Sequence, residues 1–382
     1  MEINIIKDDR YGKNNGFTED KNLGKLEFEL LNEDVSIVNS LRRTMMTDIK
    51  SLVFRGFPHE SNNIIIEKNN TKFNNEYLKH RISCIPILYN EPKNFKTFVD
   101  NYYYKLYVKN HKSEKILITT NDMILYKRKK DGHDEKTKTN YLPKYNNDGI
   151  PICYLFPKIS DTDVEEELNI TMTVYIGRQK EDACWNMVSK CLYYNIEDPI
   201  IVENKKKEFK GDEMALRDFE ILDAQRFFKP NQFHVIIETT GVYTNIQIVK
   251  YACESIIDKL DKLNEELDKI TEEFNSPQSL ILNNDKLLYI FKESMSDDNI
   301  LYTLRLENED YTIGKLIEKH MDLSTYKYIS FKKEHPHDSY SFIHFVYNIN
   351  ENKTDQLVIK DLKKTISLLI EKYTNIYKVF NS

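Results

Sequence analysis

Asn32-Glu33-Asp34-Val35-Ser36-Ile37 returns near the other end of the chain as Asn308-Glu309-Asp310-Tyr311-Thr312-Ile313. Four of the six positions are identical, Thr312 replaces Ser36, and apolar Tyr311 replaces Val35. The surroundings match as well. Leu26-Glu-Phe-Glu-Leu-Leu31 alternates and predicts a strand. Asn-Glu-Asp then offers turn and N-cap chemistry. Apolar residues at 35, 38, 41, 45 and 49 follow at the spacing of a helix. Before the second copy, Leu301-Tyr-Thr-Leu-Arg-Leu306 again predicts a strand.

Each copy also ends alike. Phe233-His-Val-Ile-Ile-Glu238 predicts a strand, followed by a long helix from about 245 to 274. Its apolar stripe runs through Val249, Cys253, Ile256, Leu260, Leu263, Leu267 and Ile270. Near the C-terminus the strand Ser341–Tyr347 precedes a helix with Leu362, Ile366, Leu369, Tyr373, Ile376 and Phe380 on its stripe. Two similar halves with long apolar helices can pack on each other as a pseudo-twofold dimer inside one chain. Residues 275–299, with Ser-Pro, Asn-Asn-Asp and Ser-Asp-Asp, predict a connector with a short ordered piece around 287–291. The Lys-rich stretch 126–147 predicts a solvated loop.

Composition narrows the function. A chain of 382 residues supports two or three domains. The formal charge of −6 argues against a protein that grips DNA along its surface. The Lys/Asn/Ile bias fits an AT-rich genome. No run of about 18 apolar residues predicts a membrane span, and Met1-Glu-Ile-Asn4 does not begin a signal peptide. The five cysteines form no C-x-x-C pair, which suits a reducing compartment. P-loop, nucleophile-elbow and H-E-x-x-H motifs are absent from the sequence.

Several segments resemble the α-like subunits of multisubunit DNA-directed RNA polymerases. Asn39-Ser-Leu-Arg-Arg43 resembles the N-x-L-R-R of the bacterial α subunit and of the third subunit of polymerase II. His80-Arg-Ile-Ser-Cys-Ile-Pro-Ile87 is similar to a segment of that third subunit. Tyr175–Val188 combines bacterial-like Ile-Gly-Arg and Asp-Ala-Cys with archaeal- and eukaryotic-like Lys-Glu and Ala-x-Trp. Glu238-Thr-Thr-Gly241 resembles the E-S-x-G before the family's long helix. Glu309–Gly314 and His335-Pro-His337 resemble the smaller partner, the eleventh subunit of polymerase II. The resemblance covers roughly 26–88, 175–196, 233–272 and 301–380. It departs at Tyr311, Lys315 and Pro336, where the family has His, Asn and a P-H-P turn.

The resemblance implies an α+β fold: two dimerisation modules in tandem, an intramolecular pseudo-heterodimer with an inserted α+β domain. Residues 1–50 and 191–275 form the first module, 51–190 the insertion, 276–299 the connector and 300–382 the smaller second module. It implies a non-catalytic platform that joins the largest and second-largest polymerase subunits, with small adaptor subunits, little nucleic-acid contact, no membrane and no homodimer. The chain binds no cofactor in this reading; Mg²⁺ belongs to the largest subunit. Residues 89–152 carry no cysteine cluster for structural zinc. Fusion of the two halves resembles the arrangement in large nucleocytoplasmic DNA viruses, which implies a viral factory in the host cytoplasm, and the virion, as locations. A free-standing transcription regulator with an α-like fold is the alternative.

The partner-facing residues implied are Asn39, Leu41, Arg42, Arg43, His80, Arg81, Arg178, Lys180 and Trp185. The helix stripes put Val38, Met45, Ile256, Leu260, Leu263, Leu267, Ile313, Leu362, Ile366 and Leu369 at the interface between the halves. Arg42 falls within the apolar arc of its helix and Arg43 outside it. Trp185 suits either a partner anchor or a core position. His80-Arg81 also reads as a helix end before an Ile-Pro strand. His335-Pro-His337 reads as a turn, and the acidic run Asp161–Glu167 as a solvated loop rather than a metal site.

Overall fold

The computed structural model describes residues 1–8, 24–129, 132–145, 147–160, 162–209, 211–270, 286–294, 300–348 and 354–381. The helices are, in chain order, α1 (Val35–Thr47), α2 (Asn75–Ser83), α3 (Phe95–Asn101), α4 (Pro199–Lys206), α5 (Glu213–Asp218), α6 (Asn245–Asp268), α7 (Tyr311–His320) and α8 (Asp355–Val379).

Two antiparallel four-stranded sheets carry one topology. The first runs Glu2–Asp8, Lys25–Leu31, Phe228–Thr239, Val188–Glu197 across the sheet. The second runs Leu288–Ser294, Ile300–Glu307, Tyr340–Tyr347, Tyr326–Lys332. In each, the strand that leads into the shorter helix (α1 or α7) lies at the centre beside the strand that leads into the long helix (α6 or α8). Alternation explains the central strands: Leu26, Phe28 and Leu30 are buried while their neighbours face outward.

The units meet through their helices. α6 packs along α8 and α1 against α7, while α1 also packs on α6 and α7 on α8. Long helix therefore meets long helix, and short meets short. Ile256, Leu260, Leu263 and Leu267 of α6 are buried, as are Leu362, Ile366, Leu369 and Ile376 of α8. Each such side chain contributes on the order of 1.5–3 kcal/mol when fully buried. Phe380, just past α8, sits edge-on to Phe28 of the first sheet at 5.1 Å. The Ser40 and Tyr373 hydroxyls share a 2.5 Å hydrogen bond between α1 and α8. Burial pushes the Tyr373 phenol up, so it stays a neutral donor across the physiological range.

The insertion lies between α1 and Val188. Strand Ser51–Val53 pairs with Tyr175–Gly177 at its base. Beyond it stands a five-stranded sheet in the order Ile64–Asn69, Glu167–Thr173, Tyr102–Lys109, Met123–Lys127, Glu135–Lys136. Residues 126–147, read as a loop, supply two of its strand segments, and Lys144–Tyr145 pairs with Asp148–Gly149. Ile85 to Asn90 form no strand after α2, contrary to the sequence reading.

Three expected boundaries move. The first sheet resumes at Val188, not 191. The second begins at Leu288, inside the expected connector, because Leu288–Phe291 are all buried against the rest of the fold. α6 ends at Asp268, and residues 271–274 of the expected helix lie outside the described residues. Glu2–Asp8 is an edge strand that the sequence reading did not contain.

Leu369 is fully buried on α8, whereas its neighbour Leu368 is 43% exposed. Leu369→Ala is predicted to cost about 2–5 kcal/mol and Leu368→Ala less than about 0.5 kcal/mol, read from urea unfolding midpoints. Equal effects would contradict the helix register.

Candidate assembly interface

The repeated hexapeptide folds the same way twice. Asn32 and Asn308 take left-handed backbone conformations, with φ 59° and 58°, which asparagine tolerates better than most residues. Asp34 then accepts the Ser36 N–H at 2.8 Å, and Asp310 accepts the Thr312 N–H at 2.9 Å. These are N-caps of α1 and α7. Burial acts to raise both capping carboxyls. The donors of Ser36 and Thr312, with nearby cations, nevertheless hold Asp34 and Asp310 below their ordinary range.

Between cap and left-handed residue sits a glutamate, and each reaches the other half. Lys372 of α8 donates to both Glu33 oxygens at 2.6 and 2.8 Å, and Glu33 is 4% exposed. Lys259 of α6 reaches Glu309 at 3.5 Å and Asp48, at the end of α1, at 2.6 Å. Burial alone would lower the Lys259 ammonium, but Glu309 and Asp48 more than offset it and hold it above its ordinary value. Burial pushes the Glu309 carboxyl up, against the pull of Lys259 and Lys180. Two carboxylates thus share one half-buried lysine.

A groove of about 740 Å³ opens beside this cluster. Asp48, Arg178, Lys180, Lys259, Lys262, Glu309, Asp310 and Lys333 help to line it. The Lys180 N–H donates to the Thr47 carbonyl at 3.0 Å, which ties the insertion's base to the end of α1. Arg178 pairs with Glu181 at 3.6 Å.

The two arginines of α1 divide. Arg43 Nε donates to Thr312 Oγ1 at 3.0 Å, and its guanidinium lies 3.9 Å from Asp310. It is a clip between the halves rather than a free partner contact. The Arg42 guanidinium donates to Asn39 Oδ1 at 3.1 and 3.3 Å and touches Met46 Sδ. No carboxylate pairs with Arg42 among the described residues. Asn39 thus positions a half-buried cation at the surface of the first unit.

Other predicted partner residues fall elsewhere. Leu41 is 1% exposed in the core and offers no surface. Trp185 is 3% exposed, since its ring packs where Gly177 leaves no room for a Cβ. Leu41 is thus a correction and Trp185 takes its core alternative, for one cause: an apolar side chain on an inward face is sequestered first by its own fold. Arg81 bonds the Pro151 carbonyl at 2.7 Å and Tyr77, while His80 is exposed. Val38, Met45, Ile313 and the predicted residues of α6 and α8 are buried on helices that meet other helices of the junction. His335 and His337 lie at an exposed turn with rings 5.1 Å apart. Glu165 pairs with Lys109 and His111, and Glu167 with Lys68; Asp161 lies outside the described residues. Among the described residues, no group of three or more His, Cys, Asp or Glu could hold a metal ion, and no helix is long and apolar enough to cross a membrane.

The sequence reading missed Glu33, Glu309, Lys259, Lys372 and Asp48. The glutamates were visible as the invariant centre of the repeat. The lysines carried no signal, because a lysine beside an apolar stripe reads as solvated.

The structure is an α+β protein whose helices join two four-stranded sheets, with paired charges at the junction. The family model for the RNA polymerase Rpb3/Rpb11 dimerisation domain matches residues 27–260, and the chain belongs to that family. Members are non-catalytic components that assemble with other RNA polymerase subunits. The chain is also 24% identical over 312 residues to a conjugation stage-specific protein of Tetrahymena thermophila, covering 64% of this chain and 92% of that protein.

Removing Lys372 strands a buried glutamate. Lys372→Met is predicted to cost about 3–5 kcal/mol, whereas Met at exposed Lys262 should change stability by less than about 0.5 kcal/mol, both by urea unfolding. Glu309 supplies a pH signature. Its folded state holds the proton more tightly than the unfolded chain, whose value is near 4.5. Its contribution to stability is therefore greatest in acid and is lost as pH rises through the raised folded value. Glu309→Gln should flatten that part of the stability profile, at pH values above the unfolded value near 4.5; an unchanged profile would contradict the assignment.

Proposed function

We propose that the chain is an internal pseudo-heterodimer, with a third-subunit-like half fused to an eleventh-subunit-like half. It serves as the assembly platform of a DNA-directed RNA polymerase, in a virus with an AT-rich genome. One face receives the second-largest subunit and another the largest, so that the two sides of the catalytic cleft come together. Small adaptor subunits join, and Mg²⁺ chemistry stays with the largest subunit. The observation that carries this reading is the reciprocal contact: each Asn-Glu-Asp turn sends its glutamate to a lysine on the other half's long helix. The family match to the first unit and the insertion supports it, as does the identical strand order of the second sheet.

Fusion suits that role. A covalently joined pair meets at an effective concentration around millimolar, so the platform needs no separate encounter. Arg42 is the residue proposed for contact with a large subunit. A cation held by Asn39 and Met46, with no carboxylate beside it among the described residues, gains a counter-ion on docking.

The alternative, a free-standing regulator with this fold, is favoured by one observation: the Tetrahymena relative is named for its conjugation stage and not as a polymerase subunit. Tagged purification from the native source separates the two. The platform reading predicts recovery with two very large partners, and Arg42→Ala should reduce their recovery several-fold while leaving the thermal midpoint of the chain unchanged. Recovery of the chain alone at 45.5 kDa, with the large subunits expressed, would overturn the platform reading.

A further inference from the structure

Between the edge strand Val188–Glu197 and its neighbour Phe228–Thr239, the chain makes a helical excursion with a small core of its own. Val202, Phe219 and Ala224 are buried there, with Phe209 and Phe227 packed around them, apart from the main core. α5 continues through a π-helical turn, Phe219–Asp223. Phe219 anchors this run inward. On the outward side Met214, Ile221 and Leu222 are 78%, 56% and 66% exposed. Their spacing of i, i+7 and i+8 keeps them on one side of a helical run. Three large apolar side chains this open on one short stretch need an occupant more than a solvent.

Charge selects the occupant. Residues 212–223 hold five carboxylates, Asp212, Glu213, Asp218, Glu220 and Asp223, against Arg217 alone. Lys206 pairs with Glu220 and Arg226 with Asp223, while Glu213 and Asp218 are exposed. Phosphate-bearing ligands, whether nucleic acid or anionic lipid, are disfavoured beside Glu213 and Asp218, and the nearby Lys205, Lys206 and Lys207 are engaged by Glu208, Glu220 and Asn204. A second copy would bring the same sign of charge to the same stripe. A polypeptide with an apolar ridge flanked by Lys or Arg satisfies both features at once.

We propose that the α5 run is a docking site for a basic amphipathic helix of a partner protein, which lays its apolar ridge over Met214, Ile221 and Leu222 and its cations beside Glu213 and Asp218. This surface is distinct from the junction of the halves and from Arg42. The inference uses only exposure, spacing and charge, so it stands whether or not the polymerase reading holds.

The test is fluorescence anisotropy of the full chain with a labelled Leu/Lys peptide of helical periodicity, about 15 residues long, and with its Leu/Glu counterpart. Wild type should bind the Leu/Lys peptide and not the Leu/Glu one. Met214→Ser/Ile221→Ser/Leu222→Ser and Glu213→Lys/Asp218→Lys should each weaken binding by about tenfold or more. If the triple variant loses stability, Leu222→Ser alone, at a well-exposed position, should still weaken binding several-fold. No binding by wild type, equal binding by all variants, or loss in only one of the two classes would overturn the proposal.

Discussion

Two half-buried lysines, each facing a buried or largely buried glutamate of the opposite half, are the constraint on which the rest of the fold turns. Lys372 leaves α8 to meet Glu33, and Lys259 leaves α6 to meet Glu309. Each glutamate sits in a turn with a left-handed step at Asn32 or Asn308 and a cap at Asp34 or Asp310. Local turn chemistry and the contact between the halves therefore share the same few residues. The apolar helix faces supply most of the attraction, but they are non-directional. The ion pairs add position, because a slip of one helix along the other would leave a buried charge without its partner.

The same geometry explains the allocation of roles on α1. Its inward face packs Ile37, Val38, Leu41 and Met45. Ser40 on that face bonds Tyr373 of the other half. Arg43 reaches sideways to Thr312. Arg42 is left at the margin with Asn39 as its support. One helix thus serves core, junction and surface, and the shift from Arg43 to Arg42 marks the edge between junction and surface. Gly314 plays a related part in α7, where a Cβ would collide with the Phe331 ring that packs on the helix.

Much of this was legible from the repeat. A hexapeptide flanked twice by an alternating strand and an amphipathic helix specifies local structure strongly, because turn, cap and period all agree. The stripes on α6 and α8 were readable for the same reason. For Leu288–Ser294 only a short ordered piece around 287–291 could be read, and not its place as a strand of the second sheet, since a short apolar run among polar neighbours carries no period. Glu2–Asp8 is an edge strand whose mixed residues say little alone. Leu41, expected to face a partner, is buried, and Trp185 takes the core position, one of the two that the sequence leaves open, because each segment also contains the residues that hold it in place. The lysines of the junction could not be found in one dimension: their significance lies in what the other half brings to them.

The central claim is that the halves hold together by contact and not only by covalent connection. It is tested most directly by a protease site inserted within residues 271–285, followed by cleavage and size exclusion in physiological salt. The account predicts that the two fragments co-elute where the intact 45.5 kDa chain does and separate more readily when Lys372→Met is present. Fragments that separate at once in the wild-type background would contradict it.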